Sequence, residues 1–424
     1  MYTAGLKKTG KILKRVRSFD GWINIMRILA VQDADWVKKG PHQQHHLLEG
    51  LSSRGHEICV IGYDQLWKNE KKSLVSKRKV VTDIHKIYEG ARITYILPSF
   101  LKVPFLDYVS YLFTSRVEIK KYIEKHNPDV VIGFTSVLSN YWGMNFANKN
   151  NIPFIYYWTD VIHTLIPFKP FQTIAKPIEK DIIKKSRRVL AINEVLKDYL
   201  ISFGAEATNT QVISGGVDFN RFNASKINSD EIREKYNLSK NDFVLFFMGW
   251  LYDFSGLMEV ITELSKVGGA HSNLKIMIVG EGDQLKSLIE TVDRFGMQDR
   301  VILTGKRPYE EIPQLISVAD ICLLPAYNNE IMKDIVPIKL YEYLAMHKPV
   351  IATKLPGVMK EFGENNGVIY VDRPEDVIST VLKLKDDEIM RTSLMAEKFI
   401  QKYNWSLIIP EFEDMLSHSQ EITV

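Results

Sequence analysis

The stretch ICLLPAYNNEIMKDIVPIKLYEYLAMHKPVIAT, Ile321 to Thr353, decides the fold. Its first apolar run, 320–324, reads as a buried strand. A polar loop follows, then a helical window over 337–346, then a second apolar run at 349–352. Strand, helix and strand in that order make one βαβ unit of a parallel sheet. The spacing predicts Pro337 at the first helical position, where its missing N–H costs nothing. The amides of Ile338, Lys339 and Leu340 then lack intrahelical partners and, with the helix dipole, form an anion site. A lysine in the first turn is mildly unfavourable for a bare helix, and a bound diphosphate reverses that sign. The plain alternative is a Lys339 that points into water. Glu342 lies one turn on, in a window that is otherwise core-like, so its carboxylate needs partners. Two ribose hydroxyls or a neighbouring cation would serve. Asp334 stands in the loop just before the helix.

The same alternation runs through the chain. Strand-like runs fall at 26–31, 57–62, 92–97, 129–134, 153–158, 188–192 and 211–214, with amphipathic windows between them. A second series follows at 243–248, 274–280, 300–304, 320–324, 349–352 and 368–371. Continuous runs such as FVLFFM and LKIMIVG fit parallel strands buried on both faces. The series breaks at ISGGVDFNRF, around Gly215 and Gly216. The expected organisation is an N-terminal extension (1–24), an N-terminal domain (25–215), a C-terminal domain (216–400) and a final helix (401–424) returning toward the first domain. The fold class expected is α/β: two Rossmann-like, doubly wound parallel-sheet domains facing a cleft, with ligands beyond the carboxyl ends of the strands.

Bulk composition excludes several classes. A formal net charge of +4 over 424 residues is too small to argue for nucleic acid. The two cysteines, Cys59 and Cys322, sit far apart in apolar runs, which speaks against a disulfide scaffold or cysteine zinc site and fits a reducing compartment. No run approaches the roughly 18 apolar residues of a membrane span, and no signal peptide is visible. Residues 1–20, MYTAGLKKTGKILKRVRSFD, place six basic residues among apolar ones at helical spacing. They read equally as a basic amphipathic helix on an anionic membrane surface or as a solvated leader. The expected location is the cytoplasm, with a peripheral position on the membrane face if the helix reading holds.

Loops after strands carry the remaining candidates. In FMGWLYDFSGL, Gly249 ends a strand and Gly256 opens a helix. Neither a Gly-x-Gly-x-x-Gly fingerprint nor a P-loop is present. In IVGEGDQ, Gly280 and Gly282 flank Glu281 and allow close backbone approach to a ligand. In TGKRPYEEI, Lys306, Arg307 and Tyr309 could edge a base pocket. In the first half, Gly40-Pro41 begins a helix, and Asp33 and Asp35 form a short Asp-x-Asp for which a non-metal reading is favoured. Asp160 and His163 follow another strand. There His163 is either a base or donor, or a structural partner of backbone carbonyls.

Six pieces in order resemble a known family: RGHEICVIG, SRRVLAINEVLKDYLISFGA, VISGGVDFNRF, IVGEGDQ, VILTGKRPYEEIPQLISVADICLLP and PIKLYEYLAMHKPVIAT. The resemblance, from about Met26 to Trp405, is to retaining glycosyltransferases of the GT-B fold, family 4 (group 1). It implies a hexose or N-acetylhexosamine moved from a nucleotide diphosphate sugar to a glycan or polyprenyl-linked acceptor. Such chemistry serves polysaccharide or glycolipid assembly. UDP is favoured, with GDP open. No cofactor or metal is implied, the nucleotide sugar being a co-substrate. The family's Glu-x7-Glu reads Asp334-x7-Glu342 here. By resemblance Glu342 holds the ribose, Asp334 lies near the sugar, and Asp160 and His163 polarise reacting groups. Donor contacts fall to Gly40, Gly249, Trp250, Ser255, Gly280, Glu281, Gly282, Arg307, Ile338, Lys339, Leu340 and Glu342. Many members have an arginine where Trp250 stands and a lysine near Ser255, so Lys339 would be the main cation. Thr159-Asp160 replaces a common His-Asp. Two other readings share these residues: a nucleotide-sugar epimerase of the same fold, and a sugar-nucleotide-binding scaffold.

Overall fold

The computed structural model describes residues 5–8, 11–18, 21–38, 41–64, 66–67, 73–134, 136–165, 169–330 and 332–419. The chain divides into two compact units: Met1–Ser214 with Trp405–Val424, and Gly215–Asn404.

The first unit begins with β1 (Gly5–Lys8), β2 (Lys11–Ser18) and β3 (Gly21–Asn24), an antiparallel three-stranded sheet. Of the two readings of residues 1–20, the amphipathic helix is not formed over the described residues, 5–8 and 11–18, which are extended. Lys8 pairs with Lys11 and Ser18 with Gly21. Gly5 and Gly10 would each cost a helix about 1 kcal/mol relative to alanine. Helical spacing of Ile12, Leu13 and Val16 was outweighed by this punctuation.

The main sheet of this unit has eight strands. They are β4 (Arg27–Val31), β5 (Glu57–Ile61), β7 (Lys79–Ile84), β8 (Ile93–Leu97), β10 (Val130–Phe134), β11 (Phe154–Trp158), β12 (Arg188–Ala191) and β13 (Thr210–Val212). Their order is β13-β12-β11-β10-β4-β5-β8-β7, parallel except for the edge strand β7. A small ribbon pairs β6 (Val75–Ser76) with β9 (Phe100–Leu101). Within β4, Ile28 and Ala30 join the apolar cluster of Leu47, Leu51 and Phe412, while Leu29 and Val31 join that of Ile119, Met144 and Ile182. The period of two puts successive side chains on opposite faces, so both faces must be apolar. The final helix, Trp405–His418, is fixed by Glu413, which accepts from Arg54 and bonds His56 Nε2 at 2.7 Å. Burial alone would raise this carboxyl; the bonds from His56 and Arg54 outweigh it and hold it below the usual range.

The second unit holds β14 (Phe243–Met248), β15 (Leu274–Val279), β16 (Val301–Gly305), β17 (Ile321–Leu324), β18 (Val350–Thr353) and β19 (Val368–Val371). All run parallel in the order β16-β15-β14-β17-β18-β19. Chain order reverses between β14 and β17, the place where ligands bind in such sheets. The unit closes on itself where Val217 N donates to Tyr403 O at 2.8 Å. Cys59 and Cys322 are both free and buried. Among the described residues no helix is long and apolar enough to cross a membrane.

Replacing Glu413 by Gln should lower the stability of the first unit by about 1.5–3 kcal/mol at pH 7 in chemical denaturation. Because the folded carboxyl titrates below its unfolded value, this contribution is present above the unfolded pKa and is lost as pH falls through the folded one. The gap between wild type and Glu413→Gln should therefore close in acid.

Candidate functional site

The helix Ile338–Ala345 starts at the reversal point of the second sheet. Pro337 is its N-cap, with φ −68° and ψ 133°, one position earlier than the sequence suggested. Leu340 is a core residue whose N–H donates to Pro337 O at 3.1 Å, so it is not an open donor. The shift follows from an extended Pro337, whose carbonyl turns toward the first helical turn. The amides of Ile338 and Lys339 remain ahead of the first intrahelical acceptor.

Lys339 is half-buried, but its ammonium lies 4.2 Å from the centroid of the Phe247 ring, at the end of β14. Among the described residues no carboxylate comes within ion-pair distance of it. Burial pulls its pKa down to about 8, against a smaller upward pull from Glu342. Gly249 is what admits this side chain. A Cβ there would sit 2.6 Å from Lys339 Nζ, and its φ of 136° suits glycine.

Glu342 is 5% exposed. Its Oε1 accepts from Tyr309 Oη at 2.6 Å, and the Arg221 guanidinium lies over that phenol ring, 4.9 Å from its centroid. Burial pushes the carboxyl up to about 7; the Tyr309 bond, then Lys339 and Arg221, pull the other way. The two groups lie one turn apart on one helix, and burial pushes each toward its neutral form.

The three loop glycines pack backbone to backbone. A Cβ on Gly280 would lie 1.9 Å from Gly249 O, and one on Gly282 would lie 2.5 Å from Leu251 N. Glu281 is paired with Lys306 at 2.9 Å near the surface. Arg307 has a buried Nε without a hydrogen-bond partner. Trp250 is exposed, its indole N–H directed at Asp283 Oδ2 at 3.4 Å. Ser255 is buried and spends its hydroxyl on Tyr252 O, at 2.6 Å. Asp334 is exposed, on a loop whose backbone rests against Gly357. Gly40 lies outside the described residues.

In the first unit the candidates sit beyond β4 and β11. His163 is buried, its Nδ1 held by Glu179 Oε2 at 2.6 Å and its ring stacked on Phe203. Burial raises both Glu179 and Asp160, the latter to about 6. Asp33 accepts from Tyr108, from Tyr111 at 3.2 Å and from Ser139 at 3.1 Å. Asp35 accepts from the Val37 and Lys38 amides. Both carboxylates thus already serve protein donors. Among the described residues no group of three or more His, Cys, Asp or Glu could hold a metal ion. Sequence reasoning missed Glu179 and the Tyr309–Glu342 bond. Nothing in RPYEE signals that its tyrosine meets a carboxylate 33 positions away.

Comparison with known proteins places the chain in a family. The profile described as "Glycosyltransferase Family 4" matches residues 43–221, and "Glycosyl transferases group 1" matches residues 228–401. The chain belongs to the group 1, family 4 glycosyltransferases. Among its relatives in the family, alpha-D-kanosaminyltransferase of Streptomyces kanamyceticus is 26% identical over 226 residues, 51% of this chain and 56% of that protein. A GDP-mannose-dependent phosphatidylinositol monomannoside mannosyltransferase of Mycobacterium tuberculosis is 22% identical, over 57% of this chain and 65% of its own length. In each, the glycosyltransferase match thus spans less than two thirds of the relative. Anabaena HepE in complex with UDP-glucose shares the GT-B fold, with TM-score 0.67 and 18% identity over 93% of this chain and 100% of that one.

Tyr309→Phe should raise the Glu342 carboxyl above about 7, because the lost bond favours the ionised form. A carbon-13 NMR titration of glutamate carboxyls measures it; an unmoved or lowered midpoint would show that the bond does not stabilise the carboxylate.

Proposed function

We propose that this glycosyltransferase moves a hexose or N-acetylhexosamine from a nucleoside diphosphate sugar to a glycan or lipid-linked acceptor, with retention at the anomeric carbon. The observation that carries the reading is Lys339: a half-buried cation without a carboxylate partner among the described residues, beside bare Gly249 at the point where strand order reverses. A diphosphate there would meet the ammonium, the Ile338 and Lys339 amides and the positive helix end. Arg307 would add a second cation. Glu342, already taking one hydroxyl from Tyr309, would take ribose hydroxyls one turn further on. UDP is favoured over GDP. HepE binds UDP and UDP-glucose, whereas the mycobacterial relative is GDP-mannose-dependent, so the base is the open variable.

In the proposed step the acceptor oxygen bonds to the anomeric carbon as the bond from that carbon to the phosphate oxygen breaks. The acceptor proton passes to the departing diphosphate on the same face. Lys339 and the helix amides stabilise the charge that develops on the leaving group, the largest contribution such a site can make. Asp334 would orient the sugar. Asp160 and the Glu179-held His163 would position and polarise the acceptor. The reading routes no step through a metal or a covalent intermediate.

A panel of UDP-, GDP- and ADP-sugars with a lipid extract tests the reading through sugar transfer. Donor turnover without acceptor would point to an epimerase, and nucleotide binding without turnover to a scaffold. Lys339→Met should weaken UDP binding at least about tenfold at pH 7, roughly 1.4 kcal/mol. A change within about twofold would remove Lys339 from the phosphate site. In the wild type, affinity should also fall as pH rises through about 8, where the free lysine loses its proton, by up to about tenfold per unit. Lys339→Met should lack that fall in calorimetric titrations.

A further inference from the structure

Helix Leu106–His126 buries one face through Tyr111, Ser115, Ile119 and Ile123. Its opposite face is apolar as well. Leu106, Val109, Phe113 and Val117 recur at three- and four-residue spacing, so they share one stripe, roughly 17 Å long at the helical rise. All are exposed, Phe113 to 69% and Val117 to 63%. Phe105, just before the helix, is 86% exposed. It also has φ 68° and ψ −40°, a conformation that costs a bulky residue about 1–3 kcal/mol. The β6–β9 ribbon widens the stripe with exposed Leu74, Val75 and Leu101, and Leu101 N donates to Ser110 Oγ at 2.9 Å. Scattered apolar residues on a surface are ordinary; a contiguous set with a strained aromatic at its tip is not.

The stripe runs on into cations. Lys120 and Lys121 occupy the next turn and Lys125 the one after, all exposed. Lys120 is 3.7 Å from Glu124. Lys121 and Lys125 have no carboxylate within ion-pair distance among the described residues. Apolar side chains flanked by lysines match an interface that offers hydrocarbon and negative charge together.

We propose that this face docks on an anionic lipid bilayer. Phe105, Phe113 and Val117 enter the boundary between headgroups and acyl chains, and Lys120, Lys121 and Lys125 meet lipid phosphates. The same helix reaches the carboxyl edge of the first sheet, where Tyr108 donates to Asp33. An acceptor carried in the bilayer would arrive at that edge; this last step rests on the transferase reading, whereas docking itself does not.

The test is co-sedimentation of the full chain with vesicles of phosphatidylcholine alone, or of phosphatidylcholine and phosphatidylglycerol in equal parts. Binding is expected only to the mixed vesicles, weakening with salt. The Phe113→Ser, Val117→Ser double variant should bind roughly tenfold less, and Lys120→Glu with Lys121→Glu should fall similarly. Both variants should still bind UDP as the wild type does, which separates docking from the donor site. The proposal is overturned if wild type ignores mixed vesicles or if the serine variant sediments unchanged. It is also overturned if deleting residues 1–24 alone abolishes binding. Loss of a wild-type dimer in the serine variant, with vesicle binding kept, would assign the face to a second copy of the chain.

Discussion

Close backbone approach at the carboxyl edge of the second sheet is the constraint on which the candidate site depends. Gly249 and Gly280 leave no room for a Cβ between the ends of β14 and β15, and Gly249 leaves none between its own Cα and Lys339 Nζ. These bare positions let the loop after β14 lie down over its neighbour and let an ammonium rest on the Phe247 ring. Any side chain at Gly249 would displace the cation. A cation held against an aromatic face, with no ion-pair partner among the described residues, keeps much of its field for whatever anion arrives.

The helix beyond that cation carries a complementary tension. Glu342 is buried, satisfied at one oxygen by a neutral hydroxyl, and pushed toward protonation. Lys339 is pushed the other way by the same loss of water. The two ease each other only through space, without a direct ion pair. A ligand with negative charge at one end and hydroxyls at the other relieves both groups. A nucleoside diphosphate, the ligand proposed for this site, has that polarity.

The first unit uses its buried charges differently. His163 with Glu179, and His56 with Glu413, are carboxylates locked to rings that hold loops and helices in place. Asp33 sits among the hydroxyls of Tyr108, Tyr111 and Ser139. Its helix Leu106–His126 keeps an outward apolar stripe that no described element covers. The N-terminal basic stretch, which read equally as such a helix or as a solvated leader, is extended in its described residues, paired as antiparallel strands.

By itself the sequence determined the strands and the helices between them. A parallel strand buried on both faces must be apolar along its whole length, so β4, β10, β14 and β15 announce themselves as continuous runs. Edge strand β7 did not, because its exposed side chains carry no such pattern. The sequence also determined Lys339 and Glu342 as candidates, since their helix position and spacing are local properties. Tertiary structure alone decided their partners. Tyr309 meets Glu342 from 33 positions away, Glu179 meets His163 from 16, and Phe247 meets Lys339 across the sheet. Periodicity encodes which face of an element turns inward; it holds no record of which distant side chain will be waiting there.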